Sequence, residues 1–67
     1  MSTWLIRIQD ELCELQERSS KLQSFLSSDK IQEISISQLS LLSQQLYIMK
    51  QYENILKLRI MEGETNE

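Results

Sequence analysis

Apolar residues return every three or four positions along most of this chain. Leu5, Ile8, Leu12, Leu15, Leu22 and Leu26 form a heptad seam in which the small Ser19 is the one interruption. That spacing predicts an amphipathic helix over residues 3–27, with Thr3 as its candidate cap and Trp4 and Phe25 flanking the seam near its ends. A second seam runs through Leu39, Leu42, Leu46, Met49, Leu56 and Ile60, broken by Glu53, and predicts a helix over residues 36–62. Beside it lies another stripe of Leu41, Ile48 and Ile55, with Tyr52 between the two. At 100° per residue the two stripes cover an arc of roughly 160°, wider than a single helix–helix contact uses.

The polar stretch Ser27-Ser28-Asp29-Lys30 separates the seams. Its hydroxyl and carboxylate oxygens compete for backbone N–H groups and favour caps and turns over helix interior. Residues 31–34 fit a short helical turn, and Ser35-Ile36-Ser37-Gln38 matches a capping box, a serine at the cap with a glutamine three residues on. Ile34-Ser35-Ile36 alternates like a short strand, but there is no second strand to pair with it. The reversal is therefore expected over residues 28–35. Lys57 and Arg59 suit the negative end of a helix dipole, and Gly63 suits the position just past a helix, leaving 63–67 as a flexible tail.

Helices of similar length, each about 37–40 Å long at 1.5 Å per residue, joined by a short link favour an antiparallel hairpin. The expected fold is all-α: one two-helix hairpin, residues 1–62, assembling into a helical-bundle homo-oligomer. The wide apolar arc of the second helix is the reason for the assembly. Leu39, Leu42, Leu46, Ile48, Met49 and Ile55 are the candidate oligomer interface, in a dimer, tetramer or hexamer.

Composition strengthens that expectation. A chain of 67 residues buries a modest share of its surface, so it needs a staple. Cys13 is the sole cysteine and there is no histidine, which excludes an internal disulfide and leaves no zinc-ligand set. Oligomerisation remains. The net charge of −3, with acids and bases interspersed, offers no basic tract to follow a phosphate backbone, so general nucleic-acid binding is not expected. The apolar runs are far too short to span a membrane, and the start of the chain has no secretory pattern. The lone cysteine fits a reducing cytoplasm.

No catalytic constellation is visible, and the chain is read as a non-enzyme without cofactor or metal. The usual general base, histidine, is missing. Cys13 lies among Asp10, Glu11, Glu14 and Glu17, the opposite of the cationic setting that activates a thiolate. One polar stripe carries more chemistry. Gln38, Gln45, Tyr52 and Arg59 are spaced by seven and border the second seam, while Arg18 and Lys21 border the first. Arg18, Lys21, Gln45, Tyr52 and Arg59 form a candidate ligand-binding set, with Tyr52 stacking on a planar ligand and the arginines holding phosphate. The plainer alternative is a polar rim that fixes the register of a helical interface.

The run Leu15-x-x-Arg18-x-x-Lys21-Leu22-x-x-Phe25-Leu26-x-Ser28, then Ile34-Ser35, then Leu41-Leu42-x-x-Gln45-Leu46-x-x-Met49-x-x-Tyr52-x-x-Ile55-Leu56-x-x-Arg59-Ile60, resembles a family of small helical proteins of tailed phages. That family is grouped with a small protein of crAss-like phages. Arg18, Gln45, Tyr52 and Arg59 are its discriminating positions. The chain departs at Ile36-Ser37-Gln38, where family members tend to be acidic. The resemblance implies a phage accessory, counter-defence protein in the cytoplasm of a host bacterium. Two ways of acting stay open: a helical surface that engages and inhibits a host protein, or an oligomeric sponge that sequesters a nucleotide immune signal at an inter-subunit groove.

Overall fold

The computed structural model describes residues 3–66. It is all-helical among those residues, with a long α1, Thr3–Leu26, a short 3-10 helix, Asp29–Glu33, and a longer α2, Ile36–Asn66. The two long helices pack against each other as an antiparallel hairpin, and the molecule measures 48 × 15 × 14 Å. The hairpin expected from the two seams is therefore present. The helices are less alike in length than expected, at 24 and 31 residues. Thr3 is already helical, so the cap of α1 falls outside the described residues.

The chain reverses without glycine or proline and with no residue at positive φ among those described. The device is a 3-10 turn bracketed by two extended residues, Ser28 (φ −101°, ψ 168°) and Ile34 (φ −116°, ψ 157°). Ser28 closes one helix and opens the next segment. Its Oγ donates to the Phe25 carbonyl at 2.7 Å and accepts from the Lys30 N–H at 3.2 Å. The Phe25 carbonyl also accepts the Ser28 N–H at 3.1 Å, while the Lys30 N–H belongs to the first turn of the 3-10 helix, where backbone donors lack a partner within the helix. Ser35 then caps α2: its Oγ accepts from the Gln38 N–H at 3.1 Å, the hydroxyl half of the capping box.

The core is a thin line between the helices. Leu5, Ile8, Leu15 and Leu56 are buried, and Leu12, Met49 and Ile60 pack partly buried around Ile8, Leu15 and Leu56. The two seam interruptions meet inside it. Ser19 Oγ donates to Glu53 Oε2 at 2.5 Å, and both residues are buried. Ser19 Oγ also lies 3.2 Å from the Gln16 carbonyl, but a hydroxyl has one proton and the charged acceptor holds the shorter bond. Lys50 Nζ stands 3.8 Å from the same carboxylate oxygen. A small residue is needed at position 19 so that a carboxylate from the facing helix can enter.

Gly63 does not end α2. The helix runs through it to Asn66, with no left-handed turn, which corrects the expected stop; Glu67 lies outside the described residues. The glycine answers a packing need. A Cβ there would stand 2.5 Å from the end of the Trp4 ring and 3.2 Å from Leu5 Cδ1. Trp4 lies over bare backbone, at a position where glycine costs a helix interior roughly 1 kcal/mol.

Candidate functional site

The register of the hairpin decides which candidate residues meet. Leu5 beside Gly63 sets the antiparallel alignment. It places Arg18 level with the middle of α2, near Lys50, and Arg59 between the levels of Trp4 and Glu11. Tyr52 reaches across to α1, where its hydroxyl donates to Glu11 Oε2. Arg59 is close enough for its charge to act on the Tyr52 phenol. Glu11, Tyr52 and Arg59 thus share one exposed edge of the hairpin.

The phenol is held above its ordinary value of 10.0. The first cause is the hydrogen bond to Glu11, which requires the proton; loss of hydration and the Glu11 charge add to it, and the Arg59 charge pulls the other way. Within the ordinary pH range Tyr52 is therefore a neutral donor, aimed at an acceptor and flanked by a cation.

The other candidates are placed apart. Gln45 is exposed on α2 and its amide lies 4.0 Å from the Met49 sulfur, a weak contact. Lys21 pairs with Glu17 one turn away at 3.2 Å, both side chains largely in solvent. Lys21 also lines a shallow depression at the bend with Ser20, Ser24, Phe25, Ser28 and Lys30. A second depression, lined by Ser43, Gln44, Tyr47 and Ile48, lies on the free side of α2. Neither includes Tyr52 or Arg59, which are both exposed. Glu11 escaped the sequence reading because it sits among several acids on one helix. Its place seven residues from both Trp4 and Arg18 beside the seam is a weak signal, and the register with the Tyr52 contact selects it from the other acids.

The proposed interface residues divide into two groups. Leu39, Leu42, Leu46 and Met49 are half-buried on the side of α2 that bears Leu56, whereas Ile48 and Ile55 face solvent. Leu41, Ile48 and Ile55 are 56 %, 64 % and 53 % exposed and form a continuous stripe next to Tyr52. No helix of the described residues is long and apolar enough to cross a membrane. No group of three or more His, Cys, Asp or Glu among them is placed to hold a metal ion.

Fold and site together define a small helical hairpin with a polar, partly aromatic edge beside an uncovered apolar stripe. The family model described as Sequestin matches residues 2–62, nearly the whole chain, and the chain belongs to the Sequestin family. No curated protein and no solved structure matches it.

Proposed function

We propose that this chain is a sequestering protein that works by stoichiometric binding and not by turnover. It takes up a small phosphate-bearing nucleotide signal and withholds it from the host protein that would read it. In this reading it is a phage counter-defence protein of the bacterial cytoplasm and acts as an even-numbered homo-oligomer. The observation that carries the proposal is the solvent-facing edge of Glu11, Tyr52 and Arg59 against the bare stripe of Leu41, Ile48 and Ile55. The edge offers the acceptor oxygens of Glu11 and Tyr52, an aromatic face and a cation, which suits a ligand with both a planar and an anionic part. The family name supports sequestration over other kinds of binding.

The edge of one hairpin is open, so the ligand would sit where helices of two chains meet, in two equivalent sites per twofold pair. A thermal-shift panel of cyclic dinucleotides and ADP-ribose-type nucleotides tests this. Binding should raise the melting temperature of the native oligomer, by mass action worth about 2.7 kcal/mol at a ligand concentration one hundred times Kd. Arg59→Ala and Tyr52→Ala should remove the shift while light scattering shows the same assembly. If both variants fall apart without ligand, the edge is structural and the proposal fails.

The exposed stripe also favours a second reading, a helical face that docks in a groove of a host protein and inhibits it. A pull-down from bacterial lysate that captures one host protein at equal stoichiometry, with no nucleotide shift in the panel, would replace the first reading by this one.

A further inference from the structure

The free face of α2 is uncharged over most of its length. Residues 34–49 contain no charged side chain, the longest such stretch in the chain. On the helix surface the stripe of Leu41, Ile48 and Ile55 is bordered on one side by Gln44 and Gln51 and on the other by Gln45 and Tyr52. Charged residues of α2 lie elsewhere: Lys50 beside the buried Glu53, Lys57 on that same side, and Arg59 and Glu62 beyond the end of the stripe.

We propose that a second copy of this chain seats on the stripe, α2 against α2 and antiparallel, with the twofold axis passing at Ile48. Two arguments select a copy as the occupant. Each chain carries a net charge of −3, so copies repel wherever their charged faces meet, and this is the face on which they meet without that cost. The stripe is also self-complementary. Leu41 and Ile55 stand one heptad either side of Ile48, so an antiparallel partner sets Leu41 on Ile55, Ile48 on itself and Ile55 on Leu41.

This pairing completes the candidate site. It brings Gln45 of the second copy beside Tyr52, and on the opposite flank Gln44 of the second copy beside Gln51. The edge then gains the carboxamide of the second copy's Gln45, which can donate to and accept from the edge of a planar base and leaves Arg59 for phosphate. What the edge binds rests on the sequestration proposal; the pairing does not.

Single cysteines placed in a Cys13→Ser background test the register under mild oxidation. Ile48→Cys should link to itself as a covalent dimer. Leu41→Cys and Ile55→Cys should each stay mostly unlinked alone and link to each other when mixed, because a disulfide needs Cα atoms within about 7 Å. Self-linking by all three would mean parallel pairing, and linking by none would mean that the stripe does not face a copy; either overturns the inference. A control, Lys57→Cys, should not link. Light scattering on Ile48→Lys should show the monomer, with helical circular dichroism reported alongside. An unchanged assembly in that variant also overturns the proposal, and the cysteine pattern still decides it if Ile48→Lys unfolds. If the cysteine pattern holds but ADP-ribose and cyclic dinucleotides shift nothing, the pairing stands and the sequestration reading falls.

Discussion

The two long helices use their apolar residues differently. In α1 the large apolar side chains gather on one side, with only Trp4 and Ile6 among them notably exposed. In α2 they lie all round: Leu56 is fully buried, while Ile36, Leu41, Tyr47, Ile48, Ile55, Leu58 and Met61 face solvent. One hairpin contact satisfies α1 and leaves α2 half used. A helix apolar on several faces has surface for more than one contact, and the hairpin uses only one face of α2.

Neighbouring residues break this comparison most sharply. Leu56→Ala removes a side chain from the core and should cost about 2–5 kcal/mol, read as a lowered urea midpoint. Ile55→Ala acts on the free side. In an isolated hairpin it should stay within about 0.5 kcal/mol, as exposed substitutions do. A loss from Ile55→Ala comparable to that from Leu56→Ala, growing as protein is concentrated, would show the stripe covered in solution.

A smaller effect is expected from the buried polar pair. Ser19→Ala strips the Glu53 carboxylate of its close donor and should cost about 1–3 kcal/mol in thermal or urea unfolding. Combining it with Glu53→Leu should restore most of the loss, since a matched apolar replacement of a buried polar pair is often neutral or better. If Ser19→Ala alone is neutral, the pair does not hold the register of the seam.

The smallest effect belongs to the edge. With Tyr47→Phe present, so that one phenol titrates, the absorbance of ionised Tyr52 should rise at a higher pH than that of free tyrosine. Glu11→Gln should bring the midpoint down. The sign follows from linkage: the folded-state value is raised, so the contact contributes fully at pH below about 10 and is lost as pH climbs through the folded value. A midpoint unmoved by Glu11→Gln would remove Glu11 from the site.

Local features were legible along the chain and cross-helix ones were not. Ser28 and Ser35 announce the turn because their hydroxyls act on backbone groups within three residues. Ser19 and Glu53 were each visible as a break in a seam, yet their bond spans 34 positions and depends on a register that periodicity alone leaves free. The same holds for Tyr52 and Glu11, which are 41 positions apart. Gly63 misled for a related reason. Its local meaning is a helix stop, and its actual reason is the ring of Trp4 from the far end of the chain.

That ring has a consequence for tethering. Trp4 against Gly63 brings the first and last turns of the hairpin to one pole of a molecule 48 Å long. In an antiparallel pair centred on Ile48 the poles of the two copies point in opposite directions. Residue 63 lies fifteen positions from Ile48, about 22 Å along the helix, so the poles are separated by about 45 Å. A tandem chain of two hairpins therefore needs a linker of at least about 13 residues to close on itself at full extension. With a flexible linker of about 40 residues or more the second copy would be present at a high effective concentration and the pair would stop depending on dilution. A tandem with a linker of about five residues could not close internally, and its halves would pair with neighbouring molecules and build chains of hairpins instead of closed dimers.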